Sequence, residues 1–127
     1  MRRFVWLVVL AVAACAPQGA SPPHKFIVFF QEWSAAIDPA AVNAIASGAQ
    51  WAKEHPGVPV KVVGFADPTG SPEANGYLSL ARAQVVADQL FADGVDHSRV
   101  EVSGQGATGY MQTSQESRRT EISIGGP

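Results

Sequence analysis

Asp67 and Arg82 are the two residues whose types and spacing point most directly to chemistry. In a helix, Asn75, Ser79 and Arg82 stand at i, i+4 and i+7 and share one face. They form a polar stripe on a segment whose other positions are mostly Ala, Leu and Val. Asp67 lies just past an apolar run, in a loop of turn residues (Asp67-Pro68-Thr69-Gly70-Ser71), the kind of place where a sheet commonly carries function. An Asp and an Arg converging beside such a loop suit a zwitterionic ligand. The carboxylate takes an ammonium, and the guanidinium takes a carboxylate through paired N–H groups. A plainer reading of the same residues is that they pair with each other or carry solvated surface charge.

Other chemistries find little support. Gly104-Gln105-Gly106-Ala107-Thr108-Gly109 matches G-x-G-x-x-G, but a dinucleotide site needs a following helix, a further strand and an acid about 20 residues on. Only 18 residues follow Gly109. His24, His55 and His97 share no ligand spacing, so no metal site is expected, and no cofactor. Neither a G-x-S-x-G elbow nor an H-E-x-x-H helix occurs. The chain reads as a binding module and not as an enzyme.

With 127 residues, a single domain is the default, and 46% hydrophobic residues argue against disorder. Formal net charge is −2, with 9 basic and 11 acidic residues; without Arg2 and Arg3, 7 basic residues remain and the charge is −4. Such a balance, with no basic stripe, excludes nucleic acid as a partner. The N-terminus explains the omission of those two arginines. They precede Phe4 to Ala14, an uncharged run of 11 residues, short for a membrane span but suited to a signal peptide. Val12-Ala13-Ala14-Cys15 then resembles the lipobox of bacterial lipoproteins, with the only cysteine of the chain as acyl acceptor. The expected division is a lipoprotein signal peptide at 1–14, an acylated Cys15 with a Pro/Gly/Ser linker at 15–24, and a domain at 25–127. Two or more acyl chains anchor stably where one does not. Ala16, where an Asp would favour retention in the inner membrane, favours the outer one by resemblance to Gram-negative lipoprotein sorting. Nine linker residues reach on the order of 30 Å, at about 3.3–3.6 Å each.

The elements that must position the charges follow in order. Lys25 to Phe30 is a short aromatic and β-branched strand. Asp38-Pro39 starts a helix running to about residue 54, with Val42, Ile45 and Ala49 on one face and His55-Pro56-Gly57 as its stop. Val58 to Phe65 is a second strand. Ser71-Pro72-Glu73 starts a second helix through about Ala92, unless Asn75-Gly76 makes a turn and the regular helix begins after it; Gly94 suits a C′ cap. Strands follow at 99–103 and 119–124, with a loop from 104 to 116 between them. The order β-α-β-α-β-β means an α+β two-layer sandwich, with two helices on one face of a mixed four-stranded sheet.

Residues 25–124 resemble the OmpA-like C-terminal domain, the family that includes the peptidoglycan-associated lipoproteins. Its pattern, G-x-T-D-x-x-G followed by N-x-x-L-S-x-x-R-A-x-x-V-x-x-x-L, is met by Gly64, Asp67, Gly70, Asn75, Leu78, Ser79, Arg82, Ala83, Val86 and Leu90 with every spacing kept. The resemblance implies non-covalent binding of the peptidoglycan stem peptide, gripping the amine and carboxylate at the side-chain end of diaminopimelate. Carried over, Asp67 takes the ammonium, Arg82 the carboxylate, and Asn75 braces or contacts from the helix start. Arg118-Arg119 matches the family's paired arginines before the last strand, with a mostly structural role expected. Three places depart from the pattern: Ala66 for Thr, Ser117 for Asn, and Phe29 to Ser34 for a Phe-x-x-Asp-like segment. The implied protein is a lipid-anchored outer-membrane protein facing the periplasm that ties that membrane to peptidoglycan. The alternative is a lipoprotein of the same fold, with a weakened or lost peptidoglycan site, that binds a protein partner in an envelope complex; exposed Trp33 and Tyr110 are the candidate anchors for that partner, against core or loop packing as their plainer role.

Overall fold

The computed structural model describes residues 22–107 and 113–125. The leader, Cys15 and most of the expected linker lie outside the described residues. The chain runs β1 (His24–Phe29), α1 (Pro39–Glu54), β2 (Val60–Gly64), α2 (Pro72–Ala92), β3 (Val100–Gly104), α3 (Ser114–Ser117) and β4 (Arg119–Ile124). The sheet order is β1-β4-β2-β3. β4 pairs antiparallel with both β1 and β2, while β2 and β3 are parallel, so the sheet is mixed as expected.

The two long helices form where their caps dictate. Asp38 accepts from Ala41 N at 2.7 Å, with Pro39 at the first helical position. Ser71 does the same for α2, accepting from Ala74 N at 3.1 Å. α2 runs unbroken through Asn75-Gly76, so the Ser71 start prevails over the Asn-Gly turn. At its other end, Gly94 at φ +99° donates to Phe91 O and Val95 donates to Leu90 O, a Schellman closure that buries Leu90 and Val95 together.

The core lies between the helices and one sheet face. Val28, Val60, Val62, Ile122 and Ile124 meet Ile45, Ala49, Ala83, Val86 and Leu90 there. The inward face of α1 is Ala41, Ile45, Gly48, Ala49 and Ala52. Val42, expected on it, is 37% exposed, because Ala41 already fills the position one turn before Ile45. The strands also shift slightly. β1 begins at His24, paired with Ile124 and stacked on Trp51 at 4.0 Å, and β2 begins after Pro59, which has no N–H to give the ladder. The expected 104–116 loop contains the start of the four-residue α3.

Candidate functional site

The site is set by how closely α2 lies on the sheet. Gly64 and Gly104 stand side by side in register at the ends of β2 and β3. A Cβ on Gly64 would overlap the Ser79 carbonyl, and one on Gly104 would lie 2.5 Å from Leu80 N. Two adjacent glycines therefore let the helix backbone rest on the strand ends. Ser79 fastens this contact, donating to Gly76 O and accepting from Gly106 N, both at 2.8 Å. This explains the G-x-G run: Gly104 gives the helix room, and Gly106 at φ +60° turns the chain.

The polar stripe of α2 is turned inward. Asn75, Ser79 and Arg82 are buried and continue the apolar face of Ala83, Val86, Ala87 and Leu90 toward the helix start. Arg82, 1% exposed, donates from Nε to Ser34 O (2.8 Å), from Nη1 to Phe65 O (3.1 Å) and from Nη2 to Gln31 O (2.9 Å), with its guanidinium 5.3 Å from the Phe30 ring centroid. Burial, and then the positive charge of Arg118, lower its pKa to about 10 against the opposing pull of Asp67.

Asp67 is 5% exposed and is held from two sides. Its Oδ1 accepts from the Thr69 amide at 3.2 Å and from the Thr69 hydroxyl, while its Oδ2 pairs with Arg118 Nη1 at 3.2 Å. Burial pushes this carboxyl up, but the Thr69 bonds and Arg118 outweigh it, so its pKa falls below the ordinary value. Thr69 thus supplies a hydroxyl where Ala66 supplies none. The plainer reading, in which Asp67 and Arg82 pair with each other, is not what the structure shows: no direct bond joins them among the described residues. The two charges act on each other at longer range, and Arg118 stands as the direct partner.

Asn75 is 2% exposed and lines a cleft of about 620 Å³ together with Pro68, Gly70, Pro72, Gly104 and Gly106. Asp67 and Arg82 do not line that cleft. The structure therefore brings Asp67, Arg82 and Arg118 together and sets Asn75 beside them on a separate surface. Cys15 and Tyr110 lie outside the described residues.

The paired arginines divide: Arg118 sits in the bend between α3 and β4, while Arg119 opens the strand. Arg119 lies 4.0 Å over the Phe65 ring and 3.5 Å from Glu121, a packing role. Arg118 turns to the site, with Nε on Phe30 O at 3.1 Å and Nη1 on Asp67. Thr69 could have been read as an Asx-type partner two residues after Asp67. Trp33 is a further residue the charge pattern did not reveal. It has φ +53°, the one positive value for a non-glycine among the described residues, and its ring packs where Gly70 has no side chain.

Comparison with known proteins agrees with this architecture. The model of the OmpA family matches residues 29–122. Among curated proteins, the chain is 35% identical over 103 residues to "Probable lipoprotein YiaD" of Escherichia coli, covering 76% of this chain and 47% of that protein, so it spans about half the length of that relative. Among solved structures, the OmpA-like domain of FopA1 from Francisella tularensis is 26% identical, with a TM-score of 0.73 over 81% of this chain and 72% of that one. The peptidoglycan-associated lipoprotein from Burkholderia pseudomallei shares the fold at 24% identity, with a TM-score of 0.69 over 79% of this chain and 89% of that one. The family match reaches from the end of β1 into β4 and takes in Asp67, Asn75, Arg82 and Arg118, so this chain, a non-enzymatic α+β domain, belongs to the OmpA family.

Proposed function

We propose that the protein is an outer-membrane lipoprotein that binds peptidoglycan non-covalently and ties that membrane to the wall. The observation that carries this reading is a charge imbalance: two guanidiniums, Arg82 and Arg118, share one carboxylate, Asp67. A ligand carboxylate would balance the second guanidinium, and a ligand ammonium would share Asp67. Diaminopimelate carries both groups on one carbon at the end of its side chain. Arg82 uses three N–H groups on backbone carbonyls, and a guanidinium has five, so two remain. Arg118 Nη2 has no protein acceptor among the described residues. The ligand carboxylate is assigned to these donors, the ammonium to Asp67, and Asn75 to a neighbouring contact from the cleft.

Support for the anchor comes from the Ala-Ala-Cys15 sequence and from the lipoprotein named among the relatives. Cys15 would carry the acyl chains, residues 1–14 would be removed, and the domain would face the periplasm on a tether of eight residues, Ala16 to Pro23, since β1 begins at His24. The test is co-sedimentation with isolated sacculi. The wild-type protein should be retained, Asp67→Ala should be lost from the pellet, and retention should fall with added salt. Equal retention of wild type and Asp67→Ala removes the site assignment. A pulldown that recovers an envelope protein while sacculi recover nothing would favour the partner-binding alternative, for which exposed Tyr77 and Leu80, one turn apart on α2, are the natural surface.

A further inference from the structure

Trp33 is placed in a way that neither core packing nor the charge pattern explains. Its backbone is left-handed at φ +53°, a conformation that a bulky residue keeps only when its surroundings hold it there. They do hold it. Ser34 N donates to Gln31 O at 3.2 Å, closing a turn around Glu32 and Trp33. The carbonyls at both ends of that turn, Gln31 O and Ser34 O, accept from Arg82. On the other side, the indole ring occupies the space left by the missing side chain of Gly70, in the loop that carries Asp67 and Thr69. Trp33 is thus fastened to Arg82 and to the loop of Asp67, yet 53% of it stays exposed. An aromatic held rigidly in a strained turn and left half in solvent has the character of a contact surface.

We propose that Trp33 is the apolar wall of the ligand site. This rests on the function proposed above and adds a selectivity residue to it. With the ammonium and carboxylate both on the terminal carbon, the methylene chain of diaminopimelate must leave the charged pocket across some protein surface. The indole, in a turn held by Arg82 and packed on the Asp67 loop, offers an apolar surface for it. It selects a ligand with a carbon chain behind the zwitterionic head over one without.

The test uses purified protein with meso-diaminopimelate and with D-alanine, which has the same charged head and almost no chain. Wild type should prefer diaminopimelate by roughly tenfold. Trp33→Gly suits the left-handed backbone without strain, and, with a melting curve to confirm that it is folded, it should lose that preference. Trp33→Asn, which also tolerates the conformation, should behave in the same way and guards against a special effect of glycine. Folded variants that keep both the affinity and the preference overturn the role of Trp33 and leave the peptidoglycan reading standing. A wild-type protein that binds neither diaminopimelate nor sacculi overturns both.

Discussion

Asp67 and Arg118 meet at 3.2 Å where β2 ends and β4 begins, and Arg82, the other cation of the site, spends its bonds on the backbone. The two arginines therefore do different work. Arg118, with its side chain 17% exposed, faces the solvent side of the site. Arg82 joins the β1–α1 turn to the end of β2 and fixes the shape of the site from inside.

That division predicts different costs. Arg82→Ala leaves three backbone carbonyls without their donor, and should lower folding stability by about 3 kcal/mol in denaturant titration. Arg82→Lys should recover only part, because an ammonium cannot reproduce the fork that spans these acceptors. Arg118→Ala should cost about 1–3 kcal/mol, because it removes the charged partner of a buried carboxylate and the donor to Phe30 O, while reducing retention on sacculi.

Asp67→Asn should keep the loop, since an amide oxygen can still accept from Thr69, but should lose the charge that attracts an ammonium. Charged hydrogen bonds contribute about 1.5–3 kcal/mol, so affinity for diaminopimelate should fall on the order of 10- to 100-fold, measured by calorimetry with a melting curve as control.

The glycines give a purely steric prediction. Gly64→Ala would drive a methyl into the Ser79 carbonyl, and Gly104→Ala into Leu80 N, so each should cost roughly 3 kcal/mol or more, or prevent folding. Gly76→Ala is the contrast. Nothing lies within 4 Å of its added Cβ and it is inside a helix, so it should stabilise by about 0.5–1 kcal/mol. Thermal unfolding of the three variants checks the ordering.

The pH dependence follows from Asp67. Its pKa in the folded protein lies below the unfolded value near 3.8. A depressed carboxyl contributes stability that is fully present above the unfolded pKa and is lost as pH falls through the folded pKa. Retention on sacculi should therefore be insensitive to this carboxyl at pH 5 and above, and fail only in stronger acid. In Arg118→Ala, the Asp67 titration followed by NMR should move upward.

Much of this was legible in the sequence because local chemistry and global fold agree. Asp38-Pro39 and Ser71-Pro72 marked both helix starts, Gly94 marked a helix end, and strand patterning gave the mixed sheet. The positions of Asp67 and Arg82 were fixed by spacing, but their partners were not. Arg82 looks like an exposed polar residue in sequence because nothing local reveals that carbonyls 17, 48 and 51 residues away converge on it. Arg118 was hidden for the same reason, lying 51 residues from Asp67. The exposure of Trp33 was legible, but its place beside the charged site was not, because a left-handed backbone at a tryptophan has no sequence signature and the ring sits where Gly70 lacks a side chain.

The most direct test is the structure of the protein with meso-diaminopimelate bound. The account predicts a ligand ammonium within hydrogen-bond distance of the Asp67 carboxylate and a ligand carboxylate on the free N–H groups of Arg82 and Arg118. A crystal soaked to saturation that shows no ligand at Asp67, or shows it bound elsewhere, would contradict it.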